Sequence, residues 1–173
     1  MSLSIRRSAS RLAALVTALT AVFVALASPA SAAGYSQMQL KERPWGGLVC
    51  LEIDNGLYKE GSPATVEWCS QESQNSQWQR IPTSDGYVQL RVAHTQQCLT
   101  VRSGSHSDNA QVEQQLCNGA VNQQWKFVTM PSGYHEVIAR HSLKCLDRTW
   151  TSNVVQYNCH GGDNQLWTLP ALV

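Results

Sequence analysis

The stretch that decides the fold lies near the end of the chain and reads QYNCHGGDNQLW over residues 156–167. It ends in a Gln-x-Trp triplet, which recurs as QQW at residues 123–125 and, with serine in first place, as SQW at residues 76–78. The three tryptophans that close these triplets are 47 and 42 residues apart. This spacing predicts three consecutive copies of one supersecondary unit.

The six cysteines follow the same repeat. The first cysteine of each unit is followed by leucine, and the second lies 19, 19 and 14 residues further on. Six cysteines allow 15 pairings, but a threefold repeat favours one local disulfide in each unit. The predicted pairs are Cys50 with Cys69, Cys98 with Cys117, and Cys145 with Cys159. Because a zinc site would need closer pairs such as Cys-x-x-Cys, we expect neither a bound metal nor a cofactor.

Short alternating runs between turn residues predict strands and hairpins. The dipeptides Asn55-Gly56, Asp85-Gly86 and Ser132-Gly133 are typical of tight turns. The run at residues 87–92 alternates apolar and polar residues, as a half-buried strand does. After residue 32, no segment has the sustained apolar stripe of an amphipathic helix. The predicted fold class is therefore all-β.

The first 32 residues have the order of a secretory signal peptide. Three arginines precede an apolar run at residues 12–27, which is followed by Pro29 and the small residues Ala30-Ser31-Ala32. The run is too short to span a membrane comfortably, and no later stretch is both long and apolar, so we expect no membrane span. Residues 33–173 are predicted to form one secreted, extracellular domain whose cysteines are oxidised.

The charge balance disfavours nucleic acid as a partner. Residues 1–32 contain three of the 13 Lys and Arg and none of the 12 Asp and Glu, which leaves a net charge of −2 on the predicted mature chain. A weakly acidic chain without a basic run has nothing to hold a phosphate backbone. The sequence does not indicate an oligomeric state.

The residues Cys145-Leu146-Asp147, together with the stretch 156–167, resemble the ricin-type β-trefoil lectins, and the resemblance extends over all three repeats. It implies a β-trefoil, a barrel closed by three hairpins with pseudo-threefold symmetry and one shallow sugar site available in each lobe. The repeats would span approximately residues 35–82, 83–130 and 131–173. In such a barrel, we expect the repeat tryptophans and the leucine after each first cysteine to fill the core, with each indole N–H hydrogen-bonded nearby. These residues are Trp78, Trp125 and Trp167, and Leu51, Leu99 and Leu146.

The third repeat is predicted to contain the principal binding site. If the bridged cysteines face each other across a hairpin, the residue two after the first cysteine faces the residue two before the second, which places Asp147 opposite Tyr157. A carboxylate accepts hydrogen bonds from adjacent sugar hydroxyls, and an aromatic ring covers the C–H patch of a sugar. Asn164 adds an amide, and Gln165 either contacts a hydroxyl or holds Asp147 in place. The resemblance assigns sugar contact to these positions; otherwise Asp147 and Asn164 are turn residues and Tyr157 covers the hairpin.

The other two repeats have weaker candidates. In the second repeat the same rule pairs Thr100 with Gln115, which predicts a silent lobe although Asn122 and Gln123 persist. In the first repeat it pairs Glu52 with Glu67, two like charges. A one-residue bulge would instead bring Trp68 toward Glu52, near Asn75, and make a degenerate second site of these three residues. The members of these predicted pairs and sites are Thr100, Gln115, Asn122, Gln123, Glu52, Glu67, Trp68 and Asn75.

The third repeat departs from the pattern in its hairpin. Its cysteines are 14 residues apart, and the shortened turn at residues 148–153 contains no glycine. Related lectins often use this turn as the floor of the sugar pocket. Trp150 at its tip is either a replacement platform or a residue packed against the barrel.

We therefore predict a non-enzymatic, secreted lectin that binds a neutral glycan or polysaccharide through the third repeat, and the resemblance to the ricin-type lectins implies a sugar of galactose or xylan type. The alternative is a degenerate trefoil that binds a protein, as a protease inhibitor or an adhesion or toxin subunit, through a patch including Trp45, Trp150 or the loop at residues 103–109. Catalysis is disfavoured because the paired carboxylates Glu52 and Glu67 would lie on a narrow hairpin that excludes little water. No histidine belongs to a motif with a serine or cysteine nucleophile.

Overall fold

The computed structural model describes residues 34–168, so the predicted signal peptide lies outside the described residues. Twelve strands occur in this range, four in each repeat. In the first repeat they are β1 (Tyr35–Gln37), β2 (Val49–Ile53), β3 (Ala64–Trp68) and β4 (Gln77–Pro82). In the second they are β5 (Val88–Val92), β6 (Cys98–Val101), β7 (Ala110–Gln115) and β8 (Gln124–Thr129). In the third they are β9 (His135–Ala139), β10 (Cys145–Arg148), β11 (Val154–Tyr157) and β12 (Leu166–Trp167).

Helical structure within residues 34–168 consists of short 3₁₀ turns. They are Asp54–Gly56, Gln74–Ser76, Arg102–Gly104, Val121–Gln123 and Asp163–Gln165. None of the helices in this part of the chain is long and apolar enough to cross a membrane.

The first and last strands of each repeat form a closed barrel. β4 pairs with β1 and β5, β8 pairs with β5 and β9, and β12 pairs with β9. The ring is completed next to β1, where the Thr168 N–H donates to the Gln39 carbonyl and the Lys41 N–H to the Leu166 carbonyl, both at 2.8 Å. The remaining strands form three hairpins, β2–β3, β6–β7 and β10–β11. The prediction of a β-trefoil is confirmed.

The three repeat tryptophans fill the barrel core. Trp78, Trp125 and Trp167 are fully buried. Each indole N–H donates to the carbonyl of the leucine after the first cysteine of its own repeat, at 2.8 Å to Leu51, 2.9 Å to Leu99 and 3.1 Å to Leu146. These leucines are also buried, as predicted. The repeated Trp–Leu contact therefore joins each hairpin to the barrel core.

All three predicted disulfides are present, with Cα–Cα distances of 5.0, 5.0 and 5.1 Å. The prediction that the bridged cysteines face each other across the hairpin was wrong, however. Cys145 is opposite Tyr157, and Asp147 is opposite Val155. The reason is that β11 ends at Tyr157, so Cys159 lies beyond the ladder and reaches Cys145 diagonally.

The same two-residue shift holds in the other hairpins. Glu52 is opposite Thr65 rather than Glu67, and Thr100 is opposite Glu113 rather than Gln115. Because side chains alternate with a period of two, a shift of two residues changes the partner but keeps the face. Asp147 and Tyr157 therefore still share one face of their hairpin, as diagonal neighbours.

Two buried glutamines connect successive repeats. The side-chain amide of Gln156 donates to the carbonyls of Ser105 at 2.7 Å and Ser107 at 2.9 Å, and its oxygen accepts a hydrogen bond from Ser142 at 2.7 Å. Gln114 makes the equivalent contacts one repeat earlier, with Leu57, Lys59 and Thr95. In each case, the loop of the preceding hairpin is tied to the next repeat.

The junction between the third and first repeats is built differently. Val66 occupies the position of the glutamine, opposite Leu51, and its main-chain N–H donates to the Ser152 carbonyl at 3.0 Å. The Gln114 junction has the equivalent main-chain bond, from the Gln114 N–H to the Ser62 carbonyl at 3.0 Å, so the difference at Val66 is the loss of the glutamine side-chain contacts. The shortened third hairpin and the replacement of the glutamine by Val66 therefore occur at the same junction.

Replacing Gln156 by leucine is expected to destabilise the protein by about 2 kcal/mol, because three partly buried hydrogen bonds, to Ser105, Ser107 and Ser142, are lost. The half-buried Gln111 on the adjacent strand β7 provides the control: Gln111→Leu is expected to cost less than about 1 kcal/mol. Urea denaturation of both variants measures the difference. Equal stability losses would contradict this role of Gln156.

Candidate functional site

A surface depression of about 410 Å³ lies at the third hairpin. Its walls are β10, β11, the turn between them and the 3₁₀ turn Asp163–Gln165. The lining residues are Asn109, Asp147, Arg148, Thr149, Trp150, Thr151, Asn153, Val155, Tyr157, His160 and Asn164.

The carboxylate of Asp147 is fixed by neighbouring amides. Asp147 is only 6% exposed. Its Oδ1 accepts a hydrogen bond from Asn164 Nδ2 at 3.1 Å, and its Oδ2 accepts one from Gln165 Nε2 at 2.8 Å. Gln165 is fully buried, also donates to the Asn158 carbonyl at 2.9 Å, and accepts from the His160 N–H at 2.8 Å. Gln165 therefore supports Asp147 and is itself inaccessible to a ligand.

Burial is the main influence on the charge of this carboxylate. It raises the pKa of Asp147, while the hydrogen bond from Gln165 and the nearby His160 act in the opposite direction. The Nε2 atom of His160 lies 3.4 Å from Asp147 Oδ2. Each carboxylate oxygen accepts one hydrogen bond from an amide, so each retains acceptor capacity for a further donor.

Aromatic rings border the carboxylate. Tyr157 is 36% exposed, and its ring meets His160 edge-on, with centroids 6.1 Å apart. Trp150 is 87% exposed and lines the same depression. The ring of Trp150 is therefore exposed and is not packed against the barrel, which was one of its two predicted positions.

The sequence prediction omitted His160, whose position depends on two glycines. Gly161 has a φ of +68°, which favours glycine. A Cβ atom on Gly162 would lie 2.7 Å from His160 Cε1 and 2.7 Å from Asn164 Oδ1. Gly162 is therefore needed to place the imidazole and the Asn164 amide side by side. The paired glycines after Cys159 are the sequence signal that could have identified this arrangement.

The asparagine equivalent to Asn164 makes the same main-chain contact in all three repeats, so this contact supports the fold and is not specific to a ligand site. Asn75, Asn122 and Asn164 each donate to a main-chain carbonyl of their own hairpin, at 2.9, 2.8 and 3.2 Å. Because Asn164 Nδ2 also donates to Asp147, both of its N–H groups are used. The amide oxygen of Asn164 is the atom that can accept a hydrogen bond from a ligand.

In the first repeat, Asn75 Nδ2 lies 3.2 Å from Glu52 Oε2, so these two candidate residues are adjacent. Trp68 does not join them. The β2–β3 ladder runs without a bulge and pairs Val49 with Trp68, which places Trp68 on the opposite face from Glu52. Burial and the charge of Glu67 raise the pKa of Glu52 to about 7.

The second repeat contains a carboxylate, Glu113, opposite Thr100, where the predicted register placed Gln115. Glu113 is buried opposite Thr100. Its Oε1 accepts a hydrogen bond from Gln115 at 2.8 Å, and its Oε2 is paired with the Arg102 guanidinium. Both oxygens are thus engaged by this hairpin, and the carboxylate is neutralised by an adjacent cation.

Comparison with known proteins places the chain in a family. The ricin-type beta-trefoil lectin domain-like family matches residues 46–115, 74–152 and 121–172. The chain belongs to this family. No curated protein sequence matches it.

Among solved structures, the designed threefold-symmetric protein ThreeFoil is 33% identical, with a TM-score of 0.74 and coverage of 80% of this chain and 99% of its own. An exo-β-1,3-galactanase from Clostridium thermocellum is 24% identical, with a TM-score of 0.68 and coverage of 78% of this chain and 30% of the enzyme. A Polyporus squamosus lectin bound to the epitope Neu5Acα2-6Galβ1-4GlcNAc is 12% identical, with a TM-score of 0.64 and coverage of 79% and 48%. The chain thus spans under a third of the galactanase and about half of the lectin.

Replacing Glu52 by glutamine is expected to raise the melting temperature by about 3 °C at pH 8, corresponding to ~1 kcal/mol after allowance for partial exposure. The pKa of Glu52 is about 7 in the fold and ordinarily 4.5, so the unfolded chain loses this proton first as pH rises. The free energy of unfolding therefore falls as the pH rises from about 4.5 to about 7. The destabilisation by the partly buried charge is largest above pH 7.

Thermal scans at pH 8 and pH 4 measure this effect, with the exposed carboxylate variant Glu72→Gln as the control. At pH 4, Glu52→Gln is expected to leave the melting temperature unchanged. An equal rise at both pH values would show that the buried charge is not the cause.

Proposed function

We propose that the protein is a secreted lectin that binds neutral carbohydrate of galactose or xylan type in the third-repeat depression. The observation that carries this proposal is a fixed carboxylate on Asp147 that lines the depression, with two exposed rings, Tyr157 and Trp150, bordering the same depression. Family membership supports the lectin class. Secretion is supported by the predicted signal peptide and by the oxidised state of all six cysteines.

The site offers a sugar two kinds of contact. Adjacent hydroxyls can donate to Asp147, one to each oxygen, and a third can donate to the amide oxygen of Asn164. The exposed ring of Tyr157 can cover the C–H patch of the sugar, and Trp150 can act as a second platform. An anionic sugar would be repelled by Asp147, so a neutral sugar is the better match.

The same geometry favours binding over catalysis. Glycoside hydrolysis generally uses two carboxyl groups that flank the scissile bond. Asp147 is the one carboxylate among the described residues that line the depression, and amides hold both of its oxygens. A single shallow site of this kind is expected to bind a monosaccharide at about the millimolar level.

Removal of the carboxylate tests the site. Asp147→Asn is expected to reduce glycan affinity at least about tenfold, because a charged acceptor for two hydroxyls is lost while the side-chain shape is kept. Asp85→Asn is the matched control, since it changes an exposed carboxylate that does not line the depression. Glycan arrays and pull-down with insoluble galactan and xylan measure both variants beside the wild type.

Wild-type affinity in Asp147→Asn would refute the assigned site. Failure of the wild type to bind any glycan would refute the lectin proposal and favour a protein partner instead.

Binding is also expected to weaken on acidification. Because burial raises the pKa of Asp147, the carboxylate becomes protonated at a higher pH than an ordinary aspartate does. The protonated group accepts hydrogen bonds less strongly, so affinity should fall as the pH is lowered from 7 to 4. Calorimetric titration at successive pH values, with circular dichroism to verify the fold, measures this. Constant affinity across the range would show that the ionised form is not required.

A further inference from the structure

A second aromatic surface lies outside the depression. Trp45 and Trp68 are 45% and 50% exposed, and their ring centroids are 5.4 Å apart with an angle of 48° between the rings. Leu48, also exposed, lies between the two in sequence. We refer to Trp45 and Trp68 as the tryptophan pair.

The tryptophan pair is held in place by its surroundings. A Cβ atom on Gly47 would lie 2.1 Å from Trp68 Cζ3, so the indole rests against the main chain and a side chain at position 47 would displace it. The guanidinium of Arg148 lies 5.9 Å from the centre of the Trp45 ring. Arg148 is buried and is itself held by Glu42 at 3.1 Å. Rigid rings lose little conformational entropy when a ligand covers them.

The chain segment before β2 connects the tryptophan pair to one wall of the depression. The main-chain N–H of Glu42 donates to the Asp163 carbonyl at 3.1 Å, and Lys41 forms an ion pair with the Asp163 side chain at 2.8 Å. Asp163 begins the turn that carries Asn164. The segment that leads to Trp45 therefore packs directly against one side of the depression.

Strand β3 connects Trp68 to another wall. The Val66 N–H donates to the Ser152 carbonyl at 3.0 Å, and Thr65 forms a β-bridge with Asn153. Asn153 lines the depression, in the shortened turn that also carries Trp150. Both members of the tryptophan pair thus belong to segments that contact the walls of the third-repeat depression.

We propose that the tryptophan pair is an additional subsite for a glycan chain whose other end is bound by Asp147. This inference rests on the proposed function and narrows the ligand to an oligosaccharide or polysaccharide. Two tilted indoles contact the C–H faces of sugar rings without requiring a particular hydroxyl pattern. A protein partner fits less well, because stable protein interfaces bury about 800 Å² on each side and this apolar surface consists of two rings and one leucine.

Oligosaccharides of increasing length test the proposal. The probes are β-1,4-xylo-oligosaccharides and β-1,3-galacto-oligosaccharides of one to six units, titrated calorimetrically. Wild-type affinity is expected to rise about tenfold from the monomer to the hexamer in the series that binds, which corresponds to ~1.4 kcal/mol. The double variant Trp45→Ala/Trp68→Ala is expected to keep the monomer affinity and lose this gain.

Two further variants serve as controls. Trp45→Tyr/Trp68→Tyr retains aromatic rings at both positions and should recover most of the gain in affinity with length. Tyr58→Ala removes an exposed ring that contacts His94 at the junction of the first and second repeats, and should leave the gain intact. Melting temperatures verify that each variant is folded.

The outcomes separate the two proposals. Monomer binding without a gain in wild-type affinity with length, or an unchanged gain in the double alanine variant, would overturn the additional subsite and leave the lectin assignment standing. The absence of wild-type binding at every length would overturn both.

Discussion

The rest of the structure depends on one contact that recurs in each repeat. The indole N–H of the repeat tryptophan donates a hydrogen bond to the carbonyl of the leucine that follows the first cysteine. In the third repeat, this bond joins Trp167 in the barrel core to Leu146 on β10. The next residue along β10 is Asp147, so the core contact fixes the main chain immediately before the carboxylate. Gln165, two residues before Trp167, then holds the carboxylate itself. The core contact of Trp167 and the hydrogen bond from Gln165 therefore position the carboxylate of the proposed binding site.

The same framework carries different chemistry in each repeat. At the position of Asp147, the first repeat has Glu52, with a raised pKa, and the second has Thr100, opposite a glutamate neutralised by Arg102. The third repeat is also the one with the short hairpin, and Trp150 in the turn of that hairpin is exposed and lines the depression. Loss of threefold symmetry, rather than the symmetric barrel, is what makes the third repeat the best candidate for ligand binding.

Much of the fold could be predicted because it depends on local repetition. The Gln-x-Trp triplets and the Cys-Leu pairs predicted the disulfides and the core tryptophans, and the resemblance to the ricin-type lectins predicted the trefoil. The strand register could not be predicted from the cysteines, since Cys159 lies beyond the end of β11 and a disulfide does not require a ladder position. The contacts of His160 with Asp147 and of Trp45 with Trp68 depend on loop conformations, which the repeat pattern does not specify.

The proposed lectin site binds a neutral sugar at the carboxylate of the third repeat. Nuclear magnetic resonance tests it most directly, by following side-chain N–H signals as galactose or xylotriose is added. Binding at Asp147 is expected to produce saturable shifts in the Asn164 amide and the Trp150 indole, with the indole signals of Trp78 and Trp125 unchanged. Shifts confined to the first or second repeat, or no shifts with either sugar, would contradict it.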